Sequence, residues 1–339
     1  MSADPAVTVL MTVYNGGRFL AEAIRSILSQ GFREYEFLII DDSSSDGSVS
    51  VLKDFAAKDT RIRLLLNEVN KGQTACLNQG LREAKGKWIA RQDADDLSLP
   101  GRLELQWKAA QKTSDLMIIG VNGWVIDELG ACTGMIHAPL INQGIRWSLP
   151  FRNPFIHAGV MFRRQWPDGS AVLYDEGFQI CQDWDLWTRL LEKGEGMNLP
   201  QRLVAYRHQE GSLSHGNLEK TRSETEAITA RVWSKSFPGH EPKQELLSRF
   251  REGLDSRHQG AFWCLYNALG KEWEGKQISQ AVAVHHLQAA GALGVKNPGA
   301  MTIEVLKAVA ANPRWTIKTL QEKIFRPKRI TPRVLFQSA

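Results

Sequence analysis

The sequence predicts an α/β fold, with a mostly parallel central sheet flanked by helices, followed by a C-terminal helical region. Three observations predict it. Short apolar runs rich in β-branched residues alternate with amphipathic helical stretches from Val7 to Gln92, the pattern of parallel strands covered on both faces. Polar residues gather where each run ends, which is where open α/β sheets bind ligands. From Leu218 onward the apolar spacing is helical.

The elements follow in order. Val7 to Val13 is a β-rich run, and Arg18 to Gln30 then sets Leu20, Ala23, Ile24, Ile27 and Leu28 on one helical face. Phe37 to Ile40 is a second strand ending in Asp41-Asp42, and Ser43 to Gly47 supplies turn and cap residues for a helix carrying Val49, Leu52 and Phe55. Helix capping is accordingly the reading for Asp46. Ile62 to Leu66 is a third strand, Gln73 to Lys85 a third helix and Lys87 to Gln92 a fourth strand. After Pro100 a helix runs to about Lys112, and Leu116 to Val125 is again a strand. The regular rhythm stops there: residues 130–180 are rich in Gly, Pro, Trp and Asn, with a short strand at Gly159 to Phe162, as in substrate-facing loops. A helix bearing Leu186, Leu190 and Leu191 and a strand at Leu203 to Tyr206 complete the region. The expected division is therefore 1–215, split into halves 1–112 and 113–215, and a helical region 216–339.

Composition narrows the function. At 339 residues with 43% hydrophobic and 23% charged residues, the chain has ordinary globular make-up. Cys76, Cys132, Cys181 and Cys264 form no C-x-x-C pair, so neither a zinc cage nor a disulfide framework is indicated and a reducing cytoplasm fits. No signal peptide or membrane span is expected. The net charge of +5 comes from the tail, because residues 216–339 hold 19 basic against 11 acidic residues while residues 1–215 hold 23 against 26. The segment from Arg314 to Arg333, interleaved with Trp315, Ile324 and Phe325, reads as a solvated helix or as a peripheral contact with an anionic membrane. Nucleic acid is not the expected partner.

The chemistry concentrates at Arg91-Gln92-Asp93-Ala94-Asp95-Asp96. Carboxylates crowded at a strand end favour a hard divalent cation and a phosphate-bearing ligand. The G-x-G-x-x-G fingerprint and the P-loop are both absent. Ligand binding must rest on Thr12 and Asn15 after strand one, Asp41 and Asp42 after strand two, Asn70-Lys71-Gly72 after strand three and the acidic triplet after strand four.

The ordered series of motifs resembles family 2 glycosyltransferases, the inverting GT-A enzymes that use nucleoside-diphosphate sugars. It comprises Val13-Tyr14-Asn15-Gly16, Ser26 to Gln30, Ile40-Asp41-Asp42-Ser43 through Asp46, Gly72 with Asn78, Ala84-Lys85-Gly86, Asp93 to Asp96, Asn153 to His157, and Gln182-Asp183-Trp184-Asp185-Leu186-Trp187. The resemblance covers roughly residues 5–215 and implies a GT-A fold. It further implies that Asp41 accepts a hydrogen bond from the nucleotide base, that Asp93 holds the ribose, and that Asp95, supported by Asp96, binds Mg2+ or Mn2+ on the diphosphate. Thr12, Tyr14, Asn15, Lys71, Gly72 and Ala94 are the further donor-binding candidates. Asp183 matches the base that deprotonates the acceptor hydroxyl, whereas local sequence alone would make it a cap of its own helix. Arg91, His157, Gln182, Trp184 and His208 are supporting candidates, and His157 reads equally as a structural histidine. One departure stands out: in Tyr206-Arg207-His208-Gln209 through Ser214, the family's histidine position holds Gln209, with His208 and His215 flanking it. Gln143 to Trp147 fits the Q-x-x-R-W pattern of processive synthases but precedes Asp183, so it reads as coincidence, with Trp147 as a packed wall residue.

The function expected is non-processive transfer of a sugar, from a UDP-sugar by preference, to a glycan or lipid-linked glycan precursor. The cytoplasm or the inner face of the cytoplasmic membrane is the expected location, and a homo-oligomer is compatible. The same acidic cluster would also serve a metal-dependent phosphohydrolase or nucleotidyltransferase, or a non-catalytic nucleotide-sugar-binding module.

Overall fold

The computed structural model describes residues 5–150, 152–209 and 217–236. Strand β1 (Val7–Val13) is buried along almost its whole length, so both of its faces need cover. It pairs in parallel with β2 (Tyr35–Asp41) on one side and with β4 (Trp88–Gln92) on the other, and β3 (Ile62–Leu66) extends the sheet beyond β2. The crossovers are α1 (Leu20–Leu28), α2 (Ser48–Lys58) and α3 (Gln73–Glu83). Leu20, Ala23, Ile24 and Ile27 of α1 are fully buried in the core that β1 and β2 share, each of the larger ones contributing about 2 kcal/mol. The chain winds from β1 out to β3 and returns to the other side of β1 as β4. That reversal places a ligand crevice at the carboxyl ends of β1 and β4.

The second half is mixed rather than parallel. β8 (Met161–Arg163) runs antiparallel to β4 and to β6 (Leu116–Ile126), while β9 (Glu195–Arg207) pairs with β6 in parallel and with the two-residue β5 (Leu97–Ser98) antiparallel. The order is β3-β2-β1-β4-β8-β6-β9-β5, with β7 (Cys132–Ile136) attached to β6. Neither β5 nor β7 has a sequence signal long enough to announce a strand. β9 is much longer than the Leu203 to Tyr206 core that hydrophobicity marks, because its polar first half is held by long pairing with β6 across several register shifts.

α4 (Arg102–Ala110) explains one motif. Gln30 at the end of α1 donates its amide to the Ser98 and Leu99 carbonyls at 3.3 and 3.0 Å and accepts the Leu103 N–H at 3.3 Å, while Ser26 Oγ accepts the Ser98 N–H at 3.1 Å. The Ser26 to Gln30 segment therefore holds the chain that leaves the acidic cluster. Fully buried Arg102 continues the network to the Arg91 carbonyl at 2.7 Å and the Val160 carbonyl at 3.1 Å, and burial lowers its pKa to about 9.

Residues 5–138 and 155–226 form one compact unit, and Pro139–Pro154 together with the chain from Ala227 belong to a second. This division differs from the breaks at 112 and 215 read from the sequence. α5 (Asn142–Ser148) belongs to the second unit, α6 (Gln182–Lys193) to the first, and α7 (Leu218–Ser236) begins in the first. The Trp147 side chain, the motif end from Gly211 to His215 and the basic tail lie outside the described residues. Among the described residues, no helix is long and apolar enough to cross a membrane.

Candidate active site

A cavity of about 710 Å3 opens at the carboxyl ends of the parallel strands. Thr12, Tyr14 and Asn15 line it from the end of β1, Gly72 and Gln73 from the start of α3, and Asp93, Ala94 and Asp95 from the loop after β4. Side-chain bonds lock the loops together. Asn15, in the left-handed region at φ 49°, accepts the Ser45 N–H at 2.9 Å through Oδ1, a conformation asparagine tolerates. Asp46 accepts the Ser48 N–H at 3.0 Å at the start of α2 and the Gly17 N–H at 2.9 Å, so the expected cap also fastens the loop after β1.

Asp42 caps nothing on α2. Its carboxylate crosses to the next loop and accepts from Asn67 Nδ2 at 3.0 Å, Lys71 N–H at 2.9 Å and Gly72 N–H at 2.8 Å. Burial opposes its charge, but bonds from Cys76, Lys71, Asn67 and Gly72 hold its pKa below the ordinary range. Asp41, 1% exposed at the last position of β2, accepts the Ser44 N–H through Oδ1, and its buried Oδ2 has no hydrogen-bond partner. A buried acceptor left unpaired is costly unless a ligand completes it.

The acidic loop divides its carboxylates by environment. Arg91, fully buried, donates to Asp93 Oδ1 at 2.6 Å and so fixes the first of them. Asp96 is buried beneath the loop and accepts the Arg207 N–H at 2.7 Å; burial, then the charges of Asp95 and Asp93, raise its pKa well above the carboxylate range. Asp95 faces the cavity and accepts the Gln209 amide at 2.6 Å. Burial first and the Asp93 charge second push its pKa up to about 6. Arg207 stitches the loop from behind: it donates to the Asp95 carbonyl at 2.9 Å, the Asp127 carbonyl and Glu22, and stacks over the Phe19 ring at 4.1 Å.

A second cavity, of about 630 Å3, adjoins the first. Gln182 and Asp183 of α6 line it together with His157, Tyr206, Asp96 and the loop residues Gln179 and Ile180. Asp183 sits in the first turn of α6, and its Oδ1 accepts the following N–H of Trp184 at 2.6 Å. Gln182 donates to Gln73 Oε1 at 3.1 Å, which ties α6 to the start of α3. His157 bonds the Tyr174 hydroxyl at 3.1 Å within an aromatic cage that includes Trp187. Burial, reinforced by Arg91, pushes its pKa down to about 3, so the ring is neutral.

Several sequence candidates stand away from both cavities. Arg91 acts from within the sheet through Asp93. The Lys71 side chain turns back to Asn67 Oδ1 at 3.2 Å, and only the backbone of this segment reaches Asp42. Trp184 is buried on the core side of α6, and His208, just past the end of β9, is exposed, whereas the next residue, Gln209, reaches Asp95. Sequence reasoning gave Gln73 and Arg207 no role; their signal is tertiary.

Among the described residues, no three His, Cys, Asp or Glu side chains converge as a ready-made metal cluster. Asp95, facing the cavity beside Asp93, nevertheless fits a divalent ion. Burial first, and then the Asp93 charge, keep the Asp95 proton on to about pH 6, and a cation beside the carboxylate offsets both. Ions of this kind commonly take one or two carboxylates and complete the shell with substrate phosphates.

Residues 8–167 match the model of "Glycosyl transferase family 2". The "Putative glycosyltransferase EpsE" of Bacillus subtilis is 38% identical over 215 residues, covering 61% of this chain and 74% of EpsE. The O-antigen biosynthesis glycosyltransferase WbnJ of Escherichia coli is 30% identical over 210 residues, covering 59% of this chain and 79% of WbnJ. Residues 1–349 of Staphylococcus aureus TarS, crystallised with UDP-GlcNAc, match with a TM-score of 0.54 at 13% identity, over 93% of this chain and 92% of that one. The shared architecture is the GT-A fold.

Proposed function

The chain belongs to glycosyl transferase family 2, and on that premise we propose that it moves one sugar, with inversion, from a UDP-sugar to a hydroxyl of a glycan or lipid-linked glycan precursor. One observation carries this reading. The two cavities share Tyr14, Gln73, Asp93, Asp95 and Gln209, so a donor held by the acidic loop presents its anomeric carbon toward the space that Asp183 lines.

Each group has a part in the reaction. Asp41, with an unpaired buried oxygen, takes an N–H of the nucleotide base, and Asp93, held by Arg91, takes the ribose hydroxyls. Thr12, Tyr14, Asn15, Gly72 and Ala94 wall the donor. The acceptor hydroxyl attacks the anomeric carbon from the face opposite the diphosphate; its oxygen forms the new bond, its proton passes to Asp183, and the broken bond's electron pair leaves with the nucleoside diphosphate. His157, neutral, orients rather than carries the proton. Asp95 would hold Mg2+ or Mn2+, and such an ion supplies charge stabilisation for the departing diphosphate. The O-antigen role of WbnJ and the UDP-GlcNAc bound by TarS support a UDP-sugar and an envelope-glycan acceptor. The basic tail suits peripheral contact at the inner membrane face, and retention of liposome binding after deletion of residues 313–339 would refute that part.

The experiment is product analysis with UDP-sugars and Mn2+ for the wild type and Asp183→Asn. Wild type is expected to form a glycoside of inverted configuration, and the variant to lose transfer by about 10³-fold or more while binding UDP within about twofold. Free sugar phosphate or pyrophosphate as the product would mark a phosphohydrolase or nucleotidyltransferase. Substantial transfer by Asp183→Asn would remove the base from its role.

A further inference from the structure

α6 begins in an unusual setting. The three residues ahead of it, Gln179, Ile180 and Cys181, direct successive backbone N–H groups to a single side chain on another helix: Glu224 of α7 accepts them at 2.9, 2.9 and 2.8 Å. Glu224 is 6% exposed, so this carboxylate is buried with its bonds made. Successive N–H groups that converge on one point form an anion-binding concavity, and the amino end of a helix adds positive potential to it. Glu224 fills that concavity from a position more than forty residues away in sequence.

We propose that Glu224 is a positioning residue for the reaction: by gripping these three amides it fixes the loop that delivers Asp183 to the second cavity. The inference rests on the reading of Asp183 as the base. Four observations make the loop a part of the site. Gln179 and Ile180 line the same cavity as Asp183. The loop leads into α6 with only Gln182 between Cys181 and Asp183. It is also held by the start of α3, through Thr74 Oγ1 donating to the Phe178 carbonyl at 3.0 Å and through the Gln182–Gln73 bond. α3 in turn opens with Gln73, which lines both cavities. The loop is thus fastened both to a donor-side helix and to Glu224.

Glu224 supplies negative charge and acceptor oxygens to the turn just ahead of α6, while Asp183 accepts the Trp184 N–H within the helix and lines the second cavity. Thr225, the next residue of α7, adds a contact between its hydroxyl and Cys181 Sγ at 3.5 Å, so two adjacent residues of α7 address the same turn.

The test uses the full chain with Glu224→Ala and Glu224→Asp, beside Asp183→Asn. Hydrogen exchange of the amides at 179–181 is read on the ligand-free protein and needs no substrate. In Glu224→Ala these amides are expected to exchange at least about tenfold faster, with the β1–β4 amides unchanged. Turnover is read as UDP release with water as acceptor, using the best of UDP-glucose, UDP-galactose and UDP-GlcNAc. The expected kcat loss is about 10²-fold, with donor KM within about twofold, because a displaced base spoils chemistry without touching the donor cavity. Glu224→Asp keeps the carboxylate and is expected to restore part of the kcat and of the protection. Unchanged exchange in Glu224→Ala, or unchanged kcat, overturns the proposal, as does a fall in kcat that Glu224→Asp does not relieve at all. Should Glu224→Ala fail to fold, Glu224→Gln, which keeps the size and loses the charge, takes its place with the same criteria. The two readings fail separately: an active Asp183→Asn overturns the base assignment alone, whereas an inactive Asp183→Asn beside a fully active Glu224→Ala overturns the positioning alone.

Discussion

Replacing Asp95 with asparagine should make the ligand-free protein more stable while it cripples donor binding. The reason lies in the displaced proton equilibrium of that side chain. Burial and the neighbouring Asp93 raise its pKa from 3.8 to about 6, and each unit corresponds to about 1.4 kcal/mol. A shift of about two units sets an upper bound of about 3 kcal/mol on the cost of keeping the carboxylate charged in the folded protein at neutral pH. The sign follows from proton uptake. The folded chain holds this proton more tightly than the unfolded chain, so folding takes up a proton between about pH 4 and pH 6, and stability is lost as pH rises through that window. Asparagine carries no charge, and its amide oxygen can still accept the Gln209 bond that Asp95 accepts at 2.6 Å. Asp95→Asn and wild type should therefore unfold alike near pH 4 and diverge as pH rises to 7, where the variant should gain several degrees in Tm. Adding Mn2+ with UDP should reverse the ranking, because only the wild type retains the carboxylate that a cation can neutralise. The assay is thermal unfolding across pH, with and without Mn2+ and UDP. A stability gap that ignores pH, or an apo variant less stable than wild type at pH 7, would refute the reasoning.

His157 should show no titration above about pH 4 in an imidazole NMR experiment, since burial pushes its pKa down to about 3; an inflection near 6.5 would contradict the cage around it. Its folded form takes up fewer protons than the unfolded chain below 6.5, so its effect on stability worsens as pH falls through that value toward 3. Gln30→Ala should cost about 2–4 kcal/mol in urea unfolding, because it strands the Ser98 and Leu99 carbonyls and the Leu103 N–H in a buried network; a loss below about 1 kcal/mol would show that the network is not needed.

Much of this molecule was legible in its residues, and the reasons differ by element. The strands at Val7–Val13 and Ile62–Leu66 stood out because buried parallel strands are continuous apolar runs. The helix of Gln73 stood out by its apolar spacing, and the structure places Gly72 ahead of it at a φ of +86° that few other residues adopt. The acidic cluster announced a charged strand end. By contrast β5 is two residues long and exists only because β9 passes beside it. The parallel reading held for β1 to β4, and the antiparallel insertion of β8 changed the rest. Among the site residues, Asp42 read as a ligand-binding strand-end carboxylate and instead ties down a loop nearly thirty residues on, while just past β9 it is Gln209 rather than His208 that reaches Asp95.

By itself the sequence determined which groups could do chemistry here: hydrophobic periodicity placed the first four strands, and residue type placed the carboxylates at their ends. The tertiary structure decided what each group does. Asp93, Asp95 and Asp96 are chemically alike and adjacent, yet Arg91 grips the first, the cavity exposes the second and the backbone of Arg207 buries the third. Glu224 looks like any surface glutamate of a polar helix until α7 lies against the loop before Asp183. Local sequence encodes charge, size and periodicity, but a carboxylate's pKa and partners depend on which distant segments exclude water from it and donate to it, and only the folded chain brings those together.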